Sequence, residues 1–170
     1  MDRRIAFAEV SPSEAERVEL LAKEIWPVVY ADIIGPDQVE YMLRKMYDPA
    51  AIRREILEEE IRYLFIHYND KPIGFASFGP LREGRFCFLH KIYVKPDMQG
   101  KGIGSRALGE VERQIEEGRG IGLELRVNRH NETAIHFYHR NGLKIVKEDC
   151  ADIGGGFVMD DFIFRKEFGV

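Results

Sequence analysis

The sequence predicts an α/β protein of the α+β kind, built on a mixed but mostly antiparallel central sheet flanked by helices. Three observations carry that prediction. Ile61 to Tyr68 and Ile73 to Phe78 are strand-like runs joined by Asn69-Asp70-Lys71-Pro72, a turn signal that makes an antiparallel hairpin. Arg85 to Val94 is a third long strand candidate, set off by the Gly79-Pro80 and Glu83-Gly84 turns. A glycine-rich stretch then opens one strand-helix-strand unit, which adds a parallel crossover to an otherwise antiparallel sheet. The 170 residues, 45% hydrophobic and 32% charged, suit one globular domain spanning 1–170 with a single core.

Taken in order, residues 4 to 9 form a short apolar strand candidate. Ser11-Pro12-Ser13-Glu14 starts a helix, with Ser11 as cap, Pro12 in the first turn and Glu14 completing a capping box. That helix is expected to break at Pro27, because proline has no amide to donate and clashes with the preceding turn, leaving Trp26 and Tyr30 in a partly exposed segment. After Gly35-Pro36, residues Val39, Met42, Leu43 and Met46 recur at helical spacing, and Asp48-Pro49 starts a further helix over Ala50 to Glu59. The run Glu58-Glu59-Glu60 reads as a solvated helix end. Beyond the three strands, a helix runs to about Glu117, a strand covers Ile121 to Val127, and a helix covers Glu132 to Arg140 and stops at Asn141-Gly142. Leu143 to Val146 and Phe157 to Phe164 close the chain as strands, with the Gly154-Gly155-Gly156 loop between them.

Composition narrows the function. A net charge of -4 and a pI near 5.8 argue against nucleic-acid binding, which needs a basic surface to neutralise phosphates. Two cysteines, Cys87 and Cys150, make neither a disulfide framework nor a metal quartet, and each reads as a small buried apolar residue in a reducing compartment. The N-terminal stretch lacks a signal-peptide apolar core and no run approaches membrane-spanning length, so a cytoplasmic protein without a membrane partner is expected.

The chemistry concentrates in Lys95 to Arg106, KPDMQGKGIGSR. The preceding strand ends at Lys95-Pro96 and a helix starts near Gly102 to Ser105, so the backbone between them lies at a positive helix N-terminus, an anion site. Glycines at 100, 102 and 104 let a phosphate approach the amides without Cβ interference, while Gln99, Lys101 and Arg106 add side-chain donors. A pyrophosphate is the natural guest. Gly100-Lys101-Gly102 breaks P-loop spacing. A dinucleotide fingerprint is formally matched by Gly102 to Ala107, with Glu124 near the distance of a ribose-binding acid, but it follows several antiparallel strands and leaves too few βα units for a doubly wound sheet.

Val94-Lys95-Pro96, Gln99-Gly100-Lys101-Gly102-Ile103-Gly104 and the later Asn131, Ala134, Phe137-Tyr138 and Gly142 together resemble the GNAT superfamily of acetyl-CoA-dependent N-acetyltransferases. The likeness covers Phe86 to Lys147 by motif and the whole chain by element order. It implies the acyl-CoA N-acyltransferase (GNAT) fold, with amides from Gln99 to Ser105, including Gly100, Lys101, Ile103 and Gly104, cradling the pyrophosphate of acetyl-CoA. It also implies that pantetheine lies along the strand at Ile92, Tyr93 and Val94, bound by the main chain of Ile92 and Val94 while Tyr93 turns its side chain to the other face. An unpaired strand edge suits a peptide-like arm. Asn131 would contact the cofactor arm and Tyr138 would protonate the departing thiolate, a role a partly buried phenol can fill. Leu143 departs from a common Phe without touching the chemistry.

A base for the acceptor amine is less legible. By the two-residue strand period His90 shares a face with Ile92 and Val94 and titrates in the right range, while a satisfied strand histidine is the competing explanation. His130, His136 and His139 lack carboxylate or thiol partners at ligand spacing, so no metal is expected. Cys87 could carry an acyl group but nothing near it in sequence activates it. The leading expectation is direct attack on the acetyl carbonyl by the primary amine of a small molecule or protein. The tail IGGGFVMDDFIF and the loop motif together resemble a branch that includes bacterial polyamine acetyltransferases. Asp160 and Asp161 could attract a cation or be ordinary solvated acids, Trp26, Tyr30 and Tyr41 either line the acceptor cleft or pack in the core, and protein N-termini, aminoglycosides and amino acids stay open as acceptors. A non-catalytic acyl-CoA sensor is the second function class and a nicotinamide-binding protein the third; a homodimer follows only by analogy.

Overall fold

The computed structural model describes residues 4–169. Seven strands form one sheet in the order β1-β2-β3-β4-β5-β7-β6, and helices cover both faces. Strand β1 (Ile5–Glu9) pairs antiparallel with β2 (Arg62–Tyr68), β2 with β3 (Lys71–Leu81), and β3 with β4 (Phe86–Val94). β4 runs parallel to β5 (Gly122–Asn128), the one parallel pair among the described residues. β7 (Phe157–Glu167) pairs antiparallel with β5 on one side and with β6 (Lys144–Gly154) on the other. The doubly wound parallel sheet that a dinucleotide fold needs is not formed.

Between β1 and β2 lie three helices, α1 (Ala15–Ile34), α2 (Pro36–Met46) and α3 (Pro49–Leu57). The α1 entrance is a 3-10 turn over Pro12–Glu14, where the Ser11 amide donates to the Glu14 carboxylate at 3.1 Å, as the capping-box spacing predicts. α1 does not break at Pro27. Pro27 and Lys23 are both exposed, so the carbonyl that loses its donor is on the solvated side of the helix and the turn survives. Trp26 is accordingly buried at 3% exposure rather than displayed. Asp48 caps α3 by accepting from the Ala50 amide at 3.2 Å.

Alternation along β2 divides the core. Tyr63 and Phe65 face α1 to α3 with Trp26, Tyr47 and Phe75, whereas Leu64 and Ile66 face α4 (Ile103–Glu117) and α5 (Glu132–Arg140). The chain end departs from expectation in length: β6 extends to Gly154, well past Val146. Lys147-Glu148-Asp149 reads as loop because an edge strand needs no apolar face, and it is held here by ladder bonds to β7 and by arginine partners for its acids. Cys150, on that strand, is exposed and not buried as its residue type suggested, while Cys87 is buried.

Candidate functional site

β4 and β5 pair from Phe86↔Gly122 to Leu89↔Leu125 and then part. β5 goes on pairing with β7 as far as Asn128↔Asp161, and β4 with β3 as far as Gly74↔Val94, so the sheet opens a slot along the last part of β4. The Lys95 amide donates to the Ile73 carbonyl at 2.8 Å, and a Cβ at Gly74 would come within 2.2 Å of the Tyr93 carbonyl oxygen. Tyr93 and Lys95 therefore spend their main-chain groups on β3. By alternation, those of Ile92 and Val94 point into the slot, which is the unpaired edge a pantetheine-like arm needs.

A bulge sits where the slot begins. Ser77 opposes Lys91 and Phe78 opposes Leu89, which leaves His90 without a partner in the ladder. The extra residue changes the parity of the strand: Cys87 and Leu89 share the α4 face with Ile92 and Val94, and Lys91 and Tyr93 share the other. His90 thus does not share the face of Ile92 and Val94, contrary to the simple two-residue count. Its Nε2 donates to the Gly79 carbonyl at 2.9 Å, its ring lies 5.0 Å from Phe88, and burial draws its pKa down, so it rests neutral at the rim of the cavity.

The glycine stretch follows as a 3-10 turn over Pro96–Met98, then Gln99, whose side-chain amide donates to the Val94 carbonyl at 3.2 Å. Gly100 and Gly102 hold φ of 74° and 73°, and Gly102 is the left-handed cap of α4. With no side chain on that cap, the first amides of α4, at Ile103, Gly104 and Ser105, have no capping partner from it. Gly104 has a second reason to lack a side chain, because an added Cβ would meet the Phe137 ring at 3.1 Å where α5 crosses α4. Lys101 is exposed and lies outside the cavity lining.

α5 supplies the opposite wall. Asn131 caps it, its Oδ1 accepting from the Ala134 amide at 3.2 Å, and is itself 7% exposed. Tyr138 is 8% exposed, packed at 5.1 Å from the Phe137 ring and 5.8 Å from that of Phe164. Burial raises its phenol pKa, so the proton stays on the oxygen at neutral pH. A cavity of about 750 Å³ brings together His90, Ile92, Tyr93, Val94, Gln99, Gly100, Gly102 to Ser105, Asn131 and Tyr138.

On the α1 side, the Tyr30 and Tyr93 hydroxyls meet at 3.2 Å and both residues line the cavity, whereas Trp26 lies behind them and donates to the Tyr47 hydroxyl at 3.0 Å. Tyr41 stands off the cavity, against the β6–β7 hairpin. Two charged residues of the strands, Lys91 and Arg126, not picked out by sequence reasoning, also line it. Lys91 is buried and ion-paired to Glu55 at 2.8 Å, and Arg126 is paired to Asp161 at 3.1 Å and to Asp149. The only signal for either was a cation inside an apolar strand. Asp160 is paired with Arg129 at 2.8 Å and Asp161 is 2% exposed, so neither is a free acid awaiting a cation. Burial pushes the Cys87 thiol up to about 11, which leaves it a thiol and no acyl carrier. No group of three metal-ligating side chains forms among the described residues, and no helix of theirs is long and apolar enough to cross a membrane.

The model of the family described as "Acetyltransferase (GNAT) family" matches residues 24–143. Spermidine N(1)-acetyltransferase of Thermoplasma acidophilum is 26% identical over 160 residues, 92% of this chain and 96% of that protein. The crystal structure of PaiA N-acetyltransferase from Thermoplasma acidophilum, in complex with coenzyme A, superposes with a TM-score of 0.81 at 26% identity, covering 96% of this chain and 99% of that one. A GCN5-related N-acetyltransferase from Rhodopseudomonas palustris shares the fold with a TM-score of 0.82 at 17% identity, covering 99% and 98% of the two chains.

Proposed function

The chain belongs to the acetyltransferase (GNAT) family, and from that membership we propose that it moves an acetyl group from acetyl-CoA to a primary amine of the polyamine class by direct attack within a ternary complex. One observation carries the reading. The open edge of β4, the uncapped start of α4 and the Tyr138 phenol border a single cavity, and they fit the successive parts of an acyl-CoA. Acetyl-CoA would supply the thioester that is to be aminolysed.

Each part has a defined task. The amides of Ile103, Gly104 and Ser105, with those of the turn from Gln99, hold the pyrophosphate at the positive end of α4. Main-chain groups of Ile92 and Val94 take the amide arm as an added strand and polarise the acetyl carbonyl, so that charge developing on its oxygen meets a fixed N–H. Tyr138 gives its proton to the departing sulfur, and its raised pKa keeps that proton available until the thiolate forms. Asn131 anchors α5 at the cavity rim. The acceptor enters from the α1 side, where Tyr30 and Tyr93, their hydroxyls bonded to each other, line the cavity. Its proton leaves to water, since the His90 Nε2 is already engaged with the Gly79 carbonyl.

The polyamine class is supported by the relative from Thermoplasma acidophilum, which aligns over nearly its whole length. Purified protein should release free thiol from acetyl-CoA on addition of spermidine, spermine or putrescine, and less with amino acids or peptides bearing a free N-terminus. Thiol release with none of these amines would overturn the reading; release with the peptides alone would replace the acceptor class.

A further inference from the structure

The tip of the β6–β7 hairpin is gripped by α2 through main-chain carbonyls. Tyr41 donates its hydroxyl to the Ile153 carbonyl at 2.7 Å, Lys45 donates to the same oxygen at 2.5 Å, and Gln38 donates its amide to the Val158 carbonyl at 2.9 Å. Positions 38, 41 and 45 fall on one face of the helix. The Tyr41 ring also packs 5.1 Å from that of Phe157.

The tip makes room for that ring by having no side chains. A Cβ at Gly154 would come 2.7 Å from the Tyr41 hydroxyl oxygen, and one at Gly155 would come 2.8 Å from Cε2. Gly154 and Gly155 also hold φ of 86° and 62°, a region that other residues enter at a cost. Sequence and shape are thus matched across 112 residues, a tyrosine on α2 and bare backbone on the hairpin. Ile153 and Met159 of the same hairpin pack against the α1-side core that Tyr30 and Tyr93 also pack against, and those two line the cavity. The clasped tip thus shares a core with the cavity's α1-side wall, and none of the described hairpin residues lines the cavity itself.

We propose that Tyr41 is a specificity-determining residue, which clasps the glycine tip of the hairpin onto α2 and so fixes the width of the acceptor side of the cavity. The inference rests on the acetyltransferase reading above and adds to it a device of selection, acting on the acceptor alone. Removing the ring takes away one of two bonds to the Ile153 carbonyl together with the Phe157 packing, and Ile153 and Met159 can then loosen from the core that supports Tyr30 and Tyr93.

The test compares wild type, Tyr41→Ala and the milder Tyr41→Phe with the best amine of the panel and with the bulkier 2-(1-naphthyl)ethylamine. For Tyr41→Ala, KM for the best amine should rise at least fivefold, and the ratio of kcat/KM for the bulky amine over the best one should rise by a similar factor. KM for acetyl-CoA should stay within twofold. Tyr41→Phe, which keeps the ring and loses one bond, should move both values in the same direction by less, and it decides the question if the alanine variant does not fold. An unchanged selectivity ratio, or a loss shared equally by donor and acceptor, overturns the clasp. A wild-type protein that acetylates no amine overturns the acetyltransferase reading itself, a failure seen before any variant is made.

Discussion

The Lys91 ammonium and the Glu55 carboxylate meet at 2.8 Å inside the α1-to-α3 face of the sheet, at the residue after the β4 bulge. Lys91 also donates to the Tyr63 hydroxyl and lies 5.0 and 5.3 Å from the ring centroids of Tyr63 and Tyr47. Its side chain is 3% exposed, so burial draws its pKa down while Glu55 opposes that shift. The pair pins α3 to the strand whose edge forms the slot.

Breaking the pair from one side should cost far more than removing both charges. Glu55→Ala leaves an ammonium in the core and should lower unfolding free energy by about 3–5 kcal/mol, whereas Lys91→Met combined with Glu55→Gln should recover most of that loss. Urea denaturation of the two variants reads the difference directly. A cost below about 1 kcal/mol for Glu55→Ala, the range of an exposed pair, would mean that the ion pair does not hold α3 in place.

The backbone of the proposed donor side was legible because its signals are local. Glycines at 100, 102 and 104, a strand before them and an Asn-to-Tyr helix after them are read within short windows, and the backbone conformations they imply are the ones found. The acceptor side depends on pairs far apart in sequence: Lys91 with Glu55, Arg126 with Asp161, Tyr41 with Ile153. No periodicity announces such partners. The bulge at His90 involves no Gly or Pro in β4 and reversed the face assigned to that residue, while α1 runs on through Pro27 because the carbonyl that lost its amide partner lies on the exposed side of the helix.

His90 should matter to stability and not to the pH dependence of turnover. Its folded pKa lies below the ordinary 6.5, so between those two values the unfolded chain binds more protons than the folded one. Stability is then fully present above pH 6.5 and is lost as pH falls toward the folded value. The melting temperature of wild type should drop more steeply on acidification below 6.5 than that of His90→Gln, and the two pH–rate profiles should superimpose. An acidic limb that vanishes in the variant would return His90 to the proton path.

Gly102 and Gly104 should fail for different reasons. Gly102 has no atom within 4 Å of an added Cβ, so Gly102→Ala meets only the cost of a left-handed residue, roughly 1–2 kcal/mol, or tenfold in acetyl-CoA affinity if the turn relaxes to avoid it. Gly104→Ala drives a Cβ against the Phe137 ring and should disturb α4–α5 packing, seen as a lower melting temperature without ligand. Titration of acetyl-CoA by calorimetry, beside thermal melts of the free proteins, separates the two effects.

Tyr138→Phe tests the chemistry most directly. The ring stays between Phe137 and Phe164, so the fold and the cavity wall should survive, and acetyl-CoA affinity should change less than about twofold while its proton-donating oxygen is gone. Removing a general acid costs typically 10²–10⁴ in rate, so kcat should fall by about that factor. Because burial holds the wild-type phenol pKa above its ordinary value of 10.0, Tyr138 should add no alkaline limb to the profile below about pH 9. A thioester donor with a more acidic leaving thiol would hide the loss, so the comparison uses acetyl-CoA itself. Full turnover by Tyr138→Phe with acetyl-CoA bound would move the proton donor to another group facing the cavity, of which Tyr30 is the nearest in kind.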